Sequence, residues 1–333
     1  MSIEIIAELA QGFEGRPEQA RLLMKAAAAA GADAAKYQLV YADELATPDY
    51  KYYQLFQSLE MSDEIWESLA KYAGELGIQL QTDIFGTRSL KLAERIGVSA
   101  IKLHGTDIAN VGLLKEVAAG SVKKVLLGAG GAHFSELEQA IDILVNKEVV
   151  ILLGFQGYPT PNETNQISRI SLLAQHFSRK YPNVSIGFAD HASPDSTLCY
   201  ALASVAVGAG ATVLEKHLTL GKVMQLEDHE SALNPDEFLE FTQTLRDCYR
   251  ALGSVTESED FSMSESEQGY RKMIRRHVVA GRSLDAGSKI SPSDLVLKRT
   301  SAESVITDLS LVYHKTLKRE VNKNTPISLN DFE

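Results

Sequence analysis

"IEIIAELAQGFEGRPEQARLLMKAAAAAG" (residues 3–31) carries the decision about the fold. It opens on a short, nearly continuous apolar run, IEIIAEL (3–9), as a strand buried on both faces requires. It closes on an alanine-rich amphipathic stretch in which Pro17 suits a first helical turn and Gly31 a C-terminal cap. Between them lies LAQGFEG, which is not the G-x-G-x-x-G turn that a doubly wound nucleotide-binding sheet usually carries after its first strand. The same alternation then recurs to about residue 252. Strand-like runs follow at DAAKYQ (33–38), IQLQTD (78–83), SAIKL (99–103), KKVLLG (123–128), VVILLG (149–154), VSIGFA (184–189) and TVLEK (212–216). Helix-like stretches stand at 62–77, 89–97, 134–147, 168–181, 196–210 and 235–253. Eight strand-like runs, nearly all followed by a helix-like one, predict an α/β chain closed into a (β/α)8 TIM barrel.

Beyond the barrel the texture changes. SVTESEDFSMSESEQ (254–268) is polar, rich in Ser and Glu and without apolar periodicity, and reads as a linker. HVVAGRSLDAGSKISPSDLVLKR and KTLKREVNKNTPISLNDFE are short β-type pieces punctuated by Gly and Pro. The division is a barrel domain over 1–253, a linker over 254–273 and a small β-rich module over 274–333. A module of that size is too small to be expected to hold an active site of its own.

Hydrophobic residues make up 44% of the chain and charged ones 23%, the proportions of an ordinary soluble globular protein. The net charge of -11 disfavours nucleic-acid binding, which needs a basic surface to displace counterions. RKMIRRH (271–277) is the nearest thing to a basic run and reads as a solvated edge. No stretch reaches the ~20 apolar residues that span a membrane, and the N-terminus lacks the basic and apolar regions of a signal peptide. Cys199 and Cys248 imply no disulfide framework, so the expected address is cytoplasmic.

In such a barrel the chemistry gathers at the C-terminal ends of the strands. Those ends carry Glu8; Lys36 and Gln38; Thr82 and Asp83; Lys102, His104 and Asp107; GAGG (128–131); GFQGYPTP (154–161); Asp190 and His191; and Glu215, Lys216 and His217. Lysines and histidines converging on one rim are costly unless they meet an anion or a metal. A lone strand-end histidine is more often structural. Two of them on consecutive strands, His191 and His217, make a shared metal and a structural role evenly balanced readings. GAGG reads equally as an anion-cradling nest and as a tight turn with no ligand.

The chain resembles the sialic acid synthase family. The likeness rests on IIAELAQGFEG, GADAAKYQ, SAIKLHGTDIAN, YPTP, GFADH, VLEKHLTL and LEDHESALNPDEF, which fall in that family's order and near its spacings. The C-terminal module resembles the antifreeze-like (SAF) domain that follows the family's barrel. The resemblance implies condensation of phosphoenolpyruvate, an anionic three-carbon substrate, with an N-acyl hexosamine to give a nine-carbon 2-keto sugar acid. It also implies a divalent metal, Mn²⁺ first with Mg²⁺ or Zn²⁺ as alternatives, and a domain-swapped homodimer. Residue by residue, His191 and His217 match the metal ligands, Lys36 and Lys102 the lysines facing the anion, and Gln38 a glutamine beside the first of them. Glu8 matches the strand-one glutamate, and Tyr158 and Asp228 match residues that contact the amino sugar. Gln156 stands for an asparagine, and Arg299 matches a module arginine that reaches the partner's substrate. Asp107 occupies the place of the catalytic glutamate, one methylene shorter, with Glu8 and Lys102 as its catalytic companions.

The departures fall in one pocket. Where the resemblance expects hydroxyls, this chain has Asp83, Gly105, Gly128 and Ala189. Each lost hydrogen bond to a charged oxygen is worth roughly 1.5–3 kcal/mol, and Asp83 adds like-charge repulsion toward a phosphate. Glycine turns offer backbone N–H groups in compensation. Three readings follow: a phosphoenolpyruvate-dependent synthase, a metal-dependent carbon–carbon bond enzyme with a different donor, phosphorylated or not, and a non-catalytic sugar-binding protein. The retained Lys36, Lys102, Asp107, His191 and His217 argue against the last.

Overall fold

The computed structural model describes residues 3–155, 157–254, 261–303 and 306–333. The chain divides into two compact units, Met1–Gly253 and Ser254–Glu333. In the first, eight parallel strands close into a barrel in chain order. They are β1 (Glu4–Ala10), β2 (Ala34–Gln38), β3 (Gln79–Ile84), β4 (Ala100–Leu103), β5 (Lys124–Gly128), β6 (Glu148–Leu153), β7 (Val184–Asp190) and β8 (Val213–His217). β8 pairs with β1 to complete the ring, His217 lying beside Glu8.

The helix Pro17–Ala29 shows why the alternation works. Pro17 sits in its first turn, Leu23, Met24 and Ala27 are buried, and Gly31 takes the left-handed φ of +76° that releases the chain toward β2. In the barrel unit three α-helices do not show in the sequence pattern: Ala42–Leu45, Tyr53–Leu59 and Val111–Ala119. The last carries Gly112 in its first turn, and it starts because Asn110 accepts a hydrogen bond from the Leu113 N–H. The stretch 168–181 holds a short α-helix, Arg169–Leu173, that widens into a π turn over Ala174–Ser178.

Strand side chains alternate between the outer shell and the barrel interior, and this parity fills the interior in layers. At the N-terminal end Glu4 accepts from Gln81 and pairs with Lys124. The middle layer is apolar, with Ile6, Ala34, Leu126, Val150 and Val213. Above it the inward positions turn charged: Glu8, Lys36, Asp83, Lys102 and Glu215 are all buried. Register sets these neighbours, Glu8 beside Lys36 and Asp83 beside Lys102.

The second unit has its own core, including Val278, Ala280, Leu284, Ile290, Val312 and Ile327. β9 (His277–Ala280) and β10 (Leu295–Lys298) pair antiparallel. A turn recurs in it: Asp294 caps Ser291 and binds Arg282, and Asp331 caps Ser328 and binds Arg319. Within the stretch read as linker, Glu265–Ile274 is a helix capped by Ser264. Among the described residues no helix is long and apolar enough to cross a membrane.

Candidate active site

A cavity of about 120 Å³ opens at the C-terminal ends of the barrel strands. Glu8, Gln38, Lys102, Tyr158, His191 and His217 line it, together with His104 and Glu215. Its floor is an ion-pair network. Lys36 pairs with Glu8, lies 2.5 Å from Asp83 Oδ1 and 3.4 Å from Glu215 Oε2. Lys102 donates to Glu215 Oε1 at 2.6 Å and stands 3.9 Å from Glu8 and 4.0 Å from Asp83. His104 Nε2 meets the other oxygen of Asp83 at 2.6 Å. Lys36 is fully buried beneath the cavity and does not line it, whereas Lys102 does.

Burial and charge compete in setting the protonation of this floor. Burial pushes Glu8 up to about 8, against the pull of Lys36 and with help from Asp83 and Glu215. Asp83 goes the other way: burial favours its neutral form, but Lys36, Lys102 and His104 outweigh burial and hold it well below the usual carboxylate range. Burial likewise acts to raise Glu215, and Lys102 and Lys36 overcome it. Lys36 is held firmly protonated, burial being outweighed by Asp83, Glu215 and Glu8. Unlike charges therefore hold Lys36, Asp83 and Glu215 ionised where each alone would neutralise, while Glu8 keeps its proton until the pH nears 8.

The histidines stand on the opposite wall. Strand parity sends Ala189 and His191 into the cavity and Asp190 outward, where it lies 3.3 Å from Lys216 and accepts the Ala192 N–H. The Asp-His pair at the end of β7 thus has two jobs: Asp190 fixes the turn and His191 faces the site. The rings of His191 and His217 lie 5.4 Å apart, and Tyr158 sits edge-on to both at 5.1 and 5.6 Å. Burial pushes His191 down to about 4, and burial with His191 and Lys102 pushes His217 well below the ordinary imidazole value. Both rings are neutral, the state that binds a metal. His191 Nδ1 is buried without a hydrogen-bond partner, so this ring suits a ligand. Among the described residues no set of three His, Cys, Asp or Glu groups is spaced to hold a metal. The residues fit a cation held by two imidazoles, with water or substrate completing its shell.

Asp228, in a left-handed conformation, lies 3.7 Å from His217 Nδ1, and burial with Glu227 and Glu230 pushes it up to about 7. Gln38 accepts from Gln11 at 2.7 Å. Asp107 lies in the short turn Gly105–Asp107 after β4 and lines a wider groove of about 670 Å³ with Tyr50, Phe56, Phe85 and Thr106. Thr106 lines both the groove and the cavity, so the two adjoin there. Gln156 lies outside the described residues, and Arg299 is an exposed residue of the second unit.

The structure therefore brings Glu8, Gln38, Lys102, Tyr158, His191 and His217 together and places Asp107 in the adjoining groove. Glu215 and His104, read in the sequence as strand-end residues without an assigned role, join them in the lining. Glu215 had a readable signal: it stands two positions before His217 and shares its inward parity.

Comparison with known proteins bears on what this arrangement belongs to. Residues 23–257 match the NeuB family, and residues 275–333 match the SAF domain. The chain belongs to the NeuB family. An uncharacterized protein of Methanocaldococcus jannaschii is 30% identical, over 98% of this chain and 94% of the relative. The N,N'-diacetyllegionaminic acid synthase of Legionella pneumophila is 27% identical, again over 98% of this chain and 94% of the relative. Among solved structures, an N-acetylneuraminic acid synthetase from Leptospira borgpetersenii in complex with citrate superimposes with a TM-score of 0.73 at 25% identity, over 82% of this chain and 93% of that one. NeuB-family membership makes this chain a carbon–carbon bond-forming synthase with a TIM barrel and a SAF domain.

Proposed function

We propose that the protein joins a three-carbon acid donor to the aldehyde of an open-chain N-acyl hexosamine, giving a nine-carbon 2-keto sugar acid. The observation that carries this reading is the meeting of Lys102, Glu8, His191, His217 and Tyr158 around one cavity that adjoins the Asp107 groove through Thr106. Lys102 is the ammonium available to a donor carboxylate, and Glu215 fixes its position. Asp107, on the groove side, is placed to move a proton to or from the acceptor sugar. Tyr158 and Asp228 stand beside the two histidines, where an acceptor hydroxyl or N-acyl group is oriented.

His191 and His217 would hold the divalent metal, Mn²⁺ or in its place Mg²⁺ or Zn²⁺. When bound, such an ion supplies Lewis-acid polarisation of a carbonyl oxygen. Two donors satisfy the chemistry: phosphoenolpyruvate, as the resemblance implies, and a 2-oxo acid without phosphate. A homodimer in which Arg299 of one chain completes the other's site belongs to the same reading, and analytical ultracentrifugation tests it.

The enzymatic test is formation of 2-keto acid from a panel of N-acyl hexosamines supplied with either donor in the presence of Mn²⁺. Turnover is expected to fall at least 100-fold in Asp107→Asn and in Lys102→Ala. No product from any pair would refute the reading.

A further inference from the structure

The two histidines stand on unequal supports. His217 is the last residue of β8 and lies in register with Glu8 of β1. β7 ends at Asp190, so His191 is the first residue past its strand. Its backbone is held from several sides instead. The His191 carbonyl oxygen accepts from the Thr160 N–H and from Ser231 Oγ, both at 2.9 Å. Behind the barrel wall, Asp190 Oδ1 accepts from the Ala192 N–H at 2.8 Å, and Lys216 Nζ donates to the Ala192 carbonyl oxygen at 2.8 Å. Lys216 also stands 3.3 Å from Asp190 Oδ1. Asp190 and Lys216 face each other in the β7–β8 register, and each immediately precedes one of the histidines.

Both residues are buried, and neither lines the cavity. A buried ion pair gains little over apolar side chains packed in the same space, so stability alone gives no reason for a lysine here. An apolar side chain could not reach past Asp190 and bond the backbone of residue 192. That bond ties the chain on the far side of His191 to the strand that carries His217, as a ladder bond would inside the sheet. Among the described residues Asp190 Oδ2 has no hydrogen-bond partner, so the carboxylate is placed by the Ala192 N–H and Lys216.

We propose that Lys216 is a positioning residue: with Asp190 it holds His191 at its 5.4 Å ring separation from His217, the geometry in which the two imidazoles take a divalent cation. The inference rests on the metal role proposed above for those histidines. Lys216 acts through the backbone of residues 190–192 and touches neither substrate nor ion. Loss of a group that orients a metal ligand weakens metal binding roughly 10–100-fold.

The test is Mn²⁺ titration of the full-length protein, with the free ion followed by electron paramagnetic resonance. The variants are Lys216→Met, Lys216→Met combined with Asp190→Asn, and Lys124→Met. Lys124 pairs with Glu4 at the opposite end of the barrel and controls for the loss of a paired lysine as such. Lys216→Met is expected to weaken Mn²⁺ binding by roughly tenfold or more, and Lys124→Met to leave it unchanged. Removing the Asp190 charge as well should restore the urea midpoint, because no charge is left stranded, without restoring Mn²⁺ affinity. The double variant also stands in if Lys216→Met does not fold. Wild-type affinity in the folded variants, or affinity that recovers together with stability, would overturn the inference. Crystal structures of metal-free wild type and double variant give a readout that needs no ion. The ring separation is expected to hold in the first and to shift by about 1 Å in the second, and an unchanged separation would overturn the inference. A shifted separation in a protein whose wild type binds no Mn²⁺ would leave the positioning role standing and refute the metal role instead.

Discussion

Asp83 divides its carboxylate between two cations, accepting from Lys36 at 2.5 Å through one oxygen and meeting His104 at 2.6 Å through the other. This bridge turns a lysine expected to face the substrate into part of the barrel's own interior. Chemistry at the rim and cohesion of the barrel therefore share residues, and changing one changes both.

Lys36→Met is expected to destabilise the fold. The ammonium is fully buried and offsets Glu8, Asp83 and Glu215. Removing one partner of a buried ion pair costs about 3–5 kcal/mol because the remaining charge is stranded. Urea denaturation of the purified variant measures this, and an unchanged midpoint would show that the network contributes nothing.

Stability should decline between pH 6.5 and 8. Glu8 binds its proton more tightly folded than unfolded, at about 8 against 4.5, so its contribution is complete below 4.5 and lost as pH rises through 8. Asp228, pushed to about 7 from 3.8, adds to the loss up to pH 7. His191 opposes them, its contribution present above 6.5 and lost as pH falls through about 4. Above pH 6.5 the histidine has nothing further to add, so the carboxyls prevail. Glu8→Gln is expected to flatten the decline, by up to about 2 kcal/mol across that window. Denaturation midpoints at half-unit pH steps would reveal it.

The barrel was legible because its interior strands are short, apolar and regularly spaced. All eight runs found in the sequence are strands, and the amphipathic stretches between them carry helices. The helix Val111–Ala119 was not legible, since its capping bond from Leu113 to Asn110 is a detail of local geometry that no apolar periodicity announces. Most of the cavity's lining was also legible, because chemistry at strand ends follows from the fold. What the sequence could not show is that Asp83 pairs with Lys36, or that Gly105 abuts Gly130. Both depend on register between strands distant in the chain, and a charge read alone has no partner.

Gly105→Ser should not restore a phosphate-binding hydroxyl. Its Cβ would press to 2.7 Å on the Gly130 oxygen, which is backbone and cannot swing aside. Overpacking of this kind costs roughly 1–3 kcal/mol. A lowered melting temperature with no gain in phosphoenolpyruvate affinity is expected.

His191→Ala and His217→Ala should each abolish stoichiometric Mn²⁺ binding, because the two rings lie 5.4 Å apart and, among the described residues, no group of three His, Cys, Asp or Glu is spaced to hold the ion. Metal analysis after dialysis provides the check. Retention of one equivalent by both variants would place the ion elsewhere.

The most direct measurement supplies donor labelled with ¹³C at C3, as pyruvate and as phosphoenolpyruvate in separate reactions, together with N-acyl hexosamines and Mn²⁺, and follows the products by mass spectrometry. The account predicts a nine-carbon 2-keto acid carrying the label from one of the two donors. Absence of any labelled nine-carbon acid, with donor bound and the fold intact, would contradict it.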